Sequence, residues 1–507
     1  MGGRGRKALY NSLFSLGLQF VSLICGLILP RLILSNYGSA YNGITSSITH
    51  FISCVALMKA GLGGVTRAAL YKPLAENDYM TVSEVLYESE LYIRKVAKIF
   101  LCGVIVFAAI YPIWTKDEFS WFFSFSLILI ISLTTFLNYY FCYTRSVLLE
   151  ADQKIRIWSI SEISSVVLNT IIAAVLIKLG ATIHVVKLGS AISFLITPLI
   201  LYWYTNKHYT IVKDAKPKES RISQRWDAFA HELADFINSN IDVVLITIFL
   251  NIKEVSVYTV YAYVVTAIRR VVLDSVSGFS AAFGNMYANE DYDVMRENLK
   301  IYELVLFTVT TIIYSVAAVM ITPFVLIYTS GVNDVNYSRT LFGILLIFAN
   351  VFTCFRVPYN SVTTAVGRFK ETKRIAYFEA TLNVVVSVVF VIKWGIIGVT
   401  IGTLVAAVFR ASMFAFYLGK HIIPRSCKYY ISHVIVSIIV MGIVLCIGNY
   451  VIPNVSSLGL WMLKAIIMTL ISIIVTVLSD AIIWKNDCVV FMRKLLSALK
   501  IKRKVAD

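Results

Sequence analysis

Apolar runs long enough to cross a bilayer follow one another along nearly the whole chain, parted only by short polar segments. A transmembrane helix needs about 20 predominantly apolar residues. That length recurs at 9–34, 41–65, 94–114, 119–146, 158–180, 183–204, 228–250, 254–281, 301–328, 338–365, 374–393, 396–418, 430–451 and 459–484. The pattern predicts an all-α integral membrane protein of about 14 transmembrane helices. Spans 5 and 6, and again 11 and 12, are split only by the short turns 178–181 and 393–395.

Composition removes the alternative of a water-soluble fold. Hydrophobic residues make up 58% of the chain and charged residues 15%, too little polar surface to cover such a core. The basic start, Met1 to Lys7, leads into an apolar stretch too long for a cleaved signal and without a small-residue cleavage site, so it reads as span 1. The net charge of +17 is concentrated at the N-terminus, at 66–98, 145–156, 207–225, 368–374 and 420–428, and in the tail from Lys485 to Lys504. Segments 35–42 and 452–458, by contrast, carry no Lys or Arg. By the positive-inside rule both termini and the basic loops are cytoplasmic. Orientation and attraction to acidic membrane lipids account for this charge. Basic residues confined to short loops exclude a nucleic-acid partner. The eight cysteines form no C-x-x-C pair, which argues against a disulfide framework and a zinc site.

An internal repeat organises the chain. With a shift of 213 residues, Ala75 to Tyr79 (AENDY) falls on Ala288 to Tyr292 (ANEDY), and Glu84, Leu86, Glu90 and Leu91 fall on Glu297, Leu299, Glu303 and Leu304. The period covers six helices, an even number, so the copies are parallel repeats about an axis along the membrane normal. The expected organisation is a six-helix lobe at 1–204, a cytoplasmic linker at 205–226 and a second six-helix lobe at 227–419. Two extra helices and a basic tail follow at 420–507.

Leu29-Pro30-Arg31 followed by Asn36-Tyr37-Gly38 closes span 1, Gly61-Leu62-Gly63-Gly64 closes span 2, and Gly367-Arg368-Phe369-Lys370 follows span 10. In these motifs and in its topology over roughly residues 8–484, the chain resembles the polysaccharide transporter and lipid-linked oligosaccharide flippase family. That family sits in the multidrug/oligosaccharidyl-lipid/polysaccharide exporter superfamily. The extra C-terminal helices resemble its fourteen-helix branch. The resemblance implies transport of undecaprenyl-diphosphate-linked sugars from the inner to the outer leaflet of a bacterial or archaeal inner membrane. It also implies glycosyltransferases and a polymerase of the same pathway as partners.

Charged residues within the spans carry the candidate chemistry, since each costs at least ~2.5–3.5 kcal/mol to insert. Span 1 holds Arg31, span 2 Lys59, span 8 Arg269, Arg270 and Asp274, and span 10 Arg356. Lys59, Gly63 and Arg67 fall on one helical face. A diphosphate requires fixed cationic donors in place of water, a planar fork from Arg and a point charge from Lys. Arg31, Lys59, Arg269, Arg270 and Arg356 are therefore the candidate substrate-binding residues. The resemblance points to spans 1, 2 and 8 as well. Arg31 and Arg145 lie near span ends, where snorkelling to the interface is the competing explanation.

Span 7 carries a polar stripe, Asp227, His231, Asp235, Asn238 and Asp242, at helical spacing. Asp235, Asp242, Asp274 and Glu379 are candidates for ion coupling or charge balance, and Glu162 and Glu379 sit on corresponding helices of the two lobes. No Walker-A loop or dinucleotide signature occurs, so no cofactor is expected. The energy source is then an ion gradient (Na⁺ or H⁺), the membrane potential, or substrate supply. The leading function is a flippase working by alternating access through a basic central cavity. The alternative is a cation-coupled multidrug exporter of the same fold, which would want acids where spans 1 and 2 have none. A membrane enzyme is disfavoured because the expected outer loops are short, the longest (329–337) offering only Asp334 as an acid.

Overall fold

Helix follows helix because a backbone in hydrocarbon must satisfy its N–H and C=O groups internally, and no strand forms among the described residues. The computed structural model describes every residue except 1–2, 58–61, 213–214, 216–235, 237–238, 277–282, 284–285, 288, 290, 454 and 507. It gives the backbone alone at 3–9, 12, 274–276, 369–370, 495 and 498–506. The chain forms two compact units, Met1–Val257 with Gly331–Val335, and Tyr258–Ser330 with Asn336–Asp507.

The first unit begins with α1 (Gly3–Tyr37), α2 (Ser39–Ala56), α3 (Leu62–Glu76), α4 (Tyr79–Ile110), α5 (Pro112–Thr115) and α6 (Trp121–Leu137). A five-residue π-helical segment, Asn138–Cys142, leads into α7 (Tyr143–Ala151), α8 (Ile155–Lys178), α9 (Ile183–Ser193) and α10 (Ile196–His208). Helix starts follow capping chemistry: the Asp78 carboxylate accepts from Thr81 N ahead of α4, and the Ser120 hydroxyl from Phe123 N ahead of α6. Proline divides the apolar stretch 183–208, with Pro198 in the first turn of α10, a position that needs no intrahelical donor. A short apolar helix, α11 (Ser239–Phe249), and the start of α12 (Ile252–Val276) also pack in this unit, although the sequence repeat assigns them to the second copy.

The second unit holds the remainder of α12, then α13 (Tyr292–Tyr328), α14 (Thr340–Phe355), α15 (Val357–Ala365), α16 (Phe369–Trp394) and α17 (Ile396–His421). It ends with α18 (Lys428–Tyr450), α19 (Leu458–Ile483) and α20 (Lys485–Ala506). Gly398 and Gly402, four apart on α17, make its close packing on α16 feasible: a Cβ would lie 2.2 Å from Phe390 O at the first and 2.0 Å from Ser387 Oγ at the second. The last two apolar helices are fastened to α13 by polar contacts. Thr311 Oγ1 donates to Ser437 Oγ (2.9 Å), Ser472 Oγ to Ile312 O (3.1 Å) and Trp461 Nε1 to Met320 O (3.1 Å).

Twelve helices among the described residues are long and apolar enough to span a membrane, making this a multi-pass membrane protein. The other two expected spans, 41–65 and 228–250, run into residues outside the described set. They are represented by α2, which ends at Ala56, and by α11.

Candidate functional site

Pro358 sets the geometry of the first candidate group. A proline in the first turn of α15 has no N–H to give back to α14, so the apolar stretch breaks and Arg356 sits at the break, flanked by both helices. From there Arg356 Nη1 lies 3.6 Å from Glu379 Oε1 of α16. The other carboxylate oxygen, Oε2, accepts from Arg410 Nη1 of α17 at 2.5 Å. Both Glu379 and Arg410 are buried, and the Arg410 guanidinium stands 5.7 Å from the Phe414 ring centroid. Arg269, half-buried on α12, interacts electrostatically with Tyr314 and Cys354, and Arg356 acts on the same Cys354 thiol. Two arginines, from the α14–α15 break and from α17, thus converge on one buried carboxylate.

Of the residues singled out from sequence, the structure brings together Arg356 and Glu379, while Arg269 is half-buried on α12. Arg270 is exposed on α12, and the Asp274 side chain on the same helix lies outside the described set. Lys59 and Asp235 also fall outside the described residues. Arg31, next to Pro30 within α1, is half-buried, and Asp242 on α11 is only 4% exposed. Arg67 pairs with Glu150 at 2.7 Å. Arg145 turns to protein partners, donating to Thr205 Oγ1 (2.5 Å) and Asn206 Oδ1 (3.1 Å) beneath the Tyr202 ring.

Arg410 is the functional candidate that sequence reasoning missed. Its signal was available: it is the one charged residue between Ile396 and Leu418, on the helix that follows Glu379 across a short turn. Glu303 was seen only as a repeat match. It is fully buried and takes both guanidinium nitrogens of Arg425, Nη1 at 2.6 Å and Nη2 closer still.

The first unit contains a contrasting set of contacts along one face of α2. Asp334, from the 331–335 segment, accepts from Ser39 N (2.8 Å) and Ser39 Oγ (2.6 Å) at the start of that helix. Further along, Asn42 Nδ2 donates to Ser256 Oγ (2.8 Å), Ser47 and Thr247 share a hydroxyl hydrogen bond (2.8 Å), and His50 Nδ1 lies 2.8 Å from Asn240 Oδ1. Positions 39, 42, 47 and 50 recur at near-helical spacing, so they line a single face. Gly43 allows the backbones to meet: a Cβ there would fall 1.8 Å from Ile252 O. Beside this seam Lys253 Nζ pairs with Glu118 at 3.0 Å. Among the described residues no group of three or more His, Cys, Asp or Glu could hold a metal ion.

Two independent likenesses bear on what these sites serve. Residues 67–280 match the family of polysaccharide biosynthesis proteins. The fold is that of the lipid II flippase MurJ in an inward closed conformation, with TM-score 0.67 and 15% identity over 94% of this chain and 99% of that one. A polysaccharide biosynthesis family match over residues 67–280 thus goes with a fold like that of transporters of the MOP superfamily. An inward-facing MATE multidrug resistance transporter of the MOP superfamily aligns with TM-score 0.63 and 16% identity over 80% of this chain and 98% of that one. A MOP superfamily transporter from Pyrococcus furiosus, described as having a binding pocket of reverse polarity, aligns with TM-score 0.58 and 13% identity over 82% and 95% of the two chains. No curated protein sequence matches the chain.

Proposed function

We propose that this protein is a flippase carrying undecaprenyl-diphosphate-linked oligosaccharide from the inner to the outer leaflet, by alternating access through a basic central cavity, for cell-surface polysaccharide biosynthesis. One observation supports this reading above the rest: Arg356 and Arg410, from neighbouring membrane helices, converge on the buried Glu379 carboxylate. Charged residues at membrane depth mark substrate or ion paths, and guanidinium forks bind a diphosphate in two-point fashion. In this reading Arg31, Lys59 and Arg270 extend the anion path. Asp235, Asp242 and Asp274 balance charge or couple transport to Na⁺ or H⁺, as Glu379 balances the arginines. The protein would reside in a bacterial or archaeal inner membrane with both termini cytoplasmic, receiving its cargo from glycosyltransferases and handing it to a polymerase.

The test is export of lipid-linked sugar in cells carrying Arg269→Ala, Arg356→Ala or Arg410→Ala at matched protein level. Loss of one charged hydrogen-bonding partner to the substrate should lower export by about tenfold or more. Unchanged export in all of them would overturn the reading. A cation-coupled multidrug exporter is the second reading, favoured by the MATE-like fold and the buried Asp242. Drug resistance of expressing cells, abolished by Asp242→Asn, would select it instead.

A further inference from the structure

The C-terminal helix α20 has a place that neither reading of the cargo uses. Only Trp484 separates its first residue, Lys485, from the last residue of α19, a membrane-spanning helix. It therefore starts where a bilayer's headgroups lie. Its beginning is tied down on the second unit: Tyr429 OH donates to Asp487 Oδ2 (2.9 Å), and Cys488 Sγ donates to Asp480 O (3.6 Å). One turn and more further on, Lys494 Nζ reaches Glu297 Oε1 (3.0 Å) and Asn298 Oδ1 (3.0 Å) at the start of α13. These contacts hold the helix against the end of the bundle.

What α20 leaves uncovered is apolar on one stripe. Val489, Met492 and Leu496 follow at steps of three and four and are 41%, 50% and 52% exposed. Seven Lys or Arg residues lie between Lys485 and Ala506 against a single acid, Asp487, and that acid is engaged by Tyr429. Lys485 and Arg493 are exposed, and the sequence adds Lys500, Lys502, Arg503 and Lys504 beyond them. An apolar stripe bordered by basic residues, anchored at headgroup depth, suits a bilayer interface carrying negative charge.

We infer that α20 is a membrane-interface helix that docks on anionic lipid headgroups, burying Val489, Met492 and Leu496 at the acyl boundary. Its continuity with α19 selects the bilayer over a soluble partner, and its charge selects acidic over zwitterionic lipid. The inference does not depend on what the protein transports.

The experiment uses the full-length protein in lipid nanodiscs of phosphatidylcholine alone or with phosphatidylglycerol added, reading amide hydrogen exchange across 485–506. Acidic lipid should slow exchange there by about fivefold or more, with the membrane-spanning helices unchanged. Raised salt should remove the difference, and so should Arg493→Glu combined with Lys500→Glu. Met492→Asp with Leu496→Asp should speed exchange in both lipids. Equal exchange with and without phosphatidylglycerol would overturn the inference. So would protection that rises with protein-to-lipid ratio but not with acidic lipid, which would mean that copies of the chain cover the stripe.

Discussion

The two units solve the same problem, joining apolar helices by polar contacts, with different chemistry. Along α2 in the first unit the contacts are mostly neutral and small: Asn42 with Ser256, Ser47 with Thr247, His50 beside Asn240, and a backbone approach at Gly43. The second unit has neutral contacts too, along α13, but adds charged, largely buried ones: Glu303 with Arg425, and Glu379 with Arg410 and Arg356. Hydroxyl and amide bonds between membrane helices are worth about 0.6 kcal/mol on average, whereas breaking one partner of a buried ion pair costs about 3–5 kcal/mol. A seam of the first kind can part and re-form at small cost. A core of the second kind cannot change partners unless another charge arrives to replace the one lost. If the proposed function holds, helix rearrangement belongs to the α2 seam, and the charged cluster stays rigid until an anion competes with Glu379.

The largest effect should come from Glu303→Ala. Arg425 would be left in a buried site without its carboxylate, beside Tyr359 and Tyr429. Stability in detergent should fall by about 3–5 kcal/mol, seen as a lower unfolding temperature and reduced yield. An unchanged melting curve would erase the contrast between the units. Glu379→Gln should cost less, about 3 kcal/mol at most, because the amide oxygen still accepts from Arg410. It should also strengthen binding of a soluble diphosphate probe, since the competing charge is gone. Weakened binding would mean that Glu379 helps to hold the anion rather than oppose it.

The second unit was the more legible of the two from sequence. Arg356 and Glu379 stand out because a charge in an apolar run has no bland use, and the structure joins them across 3.6 Å. Arg410 escaped because a lone charge in span 12 was not followed through. Glu303 escaped because an acid at the very start of span 9 has the same sequence pattern whether it faces water or is buried. The α2 seam was not legible at all: Ser, Thr, Asn and Gly scattered through an apolar helix look the same whether they bond a neighbour or their own preceding turn. Thr49 Oγ1, for instance, merely donates to Thr45 O at 2.7 Å, while Ser47 two residues earlier bonds Thr247. Only placement distinguishes them. The breaks in helices read more easily, because Pro358 and Pro198 act locally.

Gly43→Ala probes the seam by steric means. The new methyl would meet Ile252 O, a backbone atom that cannot rotate aside, so α2 and the start of α12 must separate. Overpacking of this kind costs about 2 kcal/mol. Maleimide labelling of a cysteine placed at Asn42 should then become faster than in the glycine parent. If labelling stays slow and stability is unchanged, the two helices are not in fixed contact and Gly43 does not set their approach.

The smallest effect is the most direct measure of the seam's chemistry. In a double-mutant cycle of Ser47→Ala and Thr247→Ala, each single change leaves one buried hydroxyl facing a methyl group. The coupling energy between them should be only about 0.6 kcal/mol, because each hydroxyl can fall back on its own helix, as Thr247 Oγ1 already does with Val243 O at 2.8 Å. The corresponding cycle of Glu303→Ala and Arg425→Ala should give a coupling several times larger, since neither charge has a local substitute. Equal couplings in the two cycles would show that burial, not charge, sets the strength of these contacts, and the seam would then resist opening as firmly as the core.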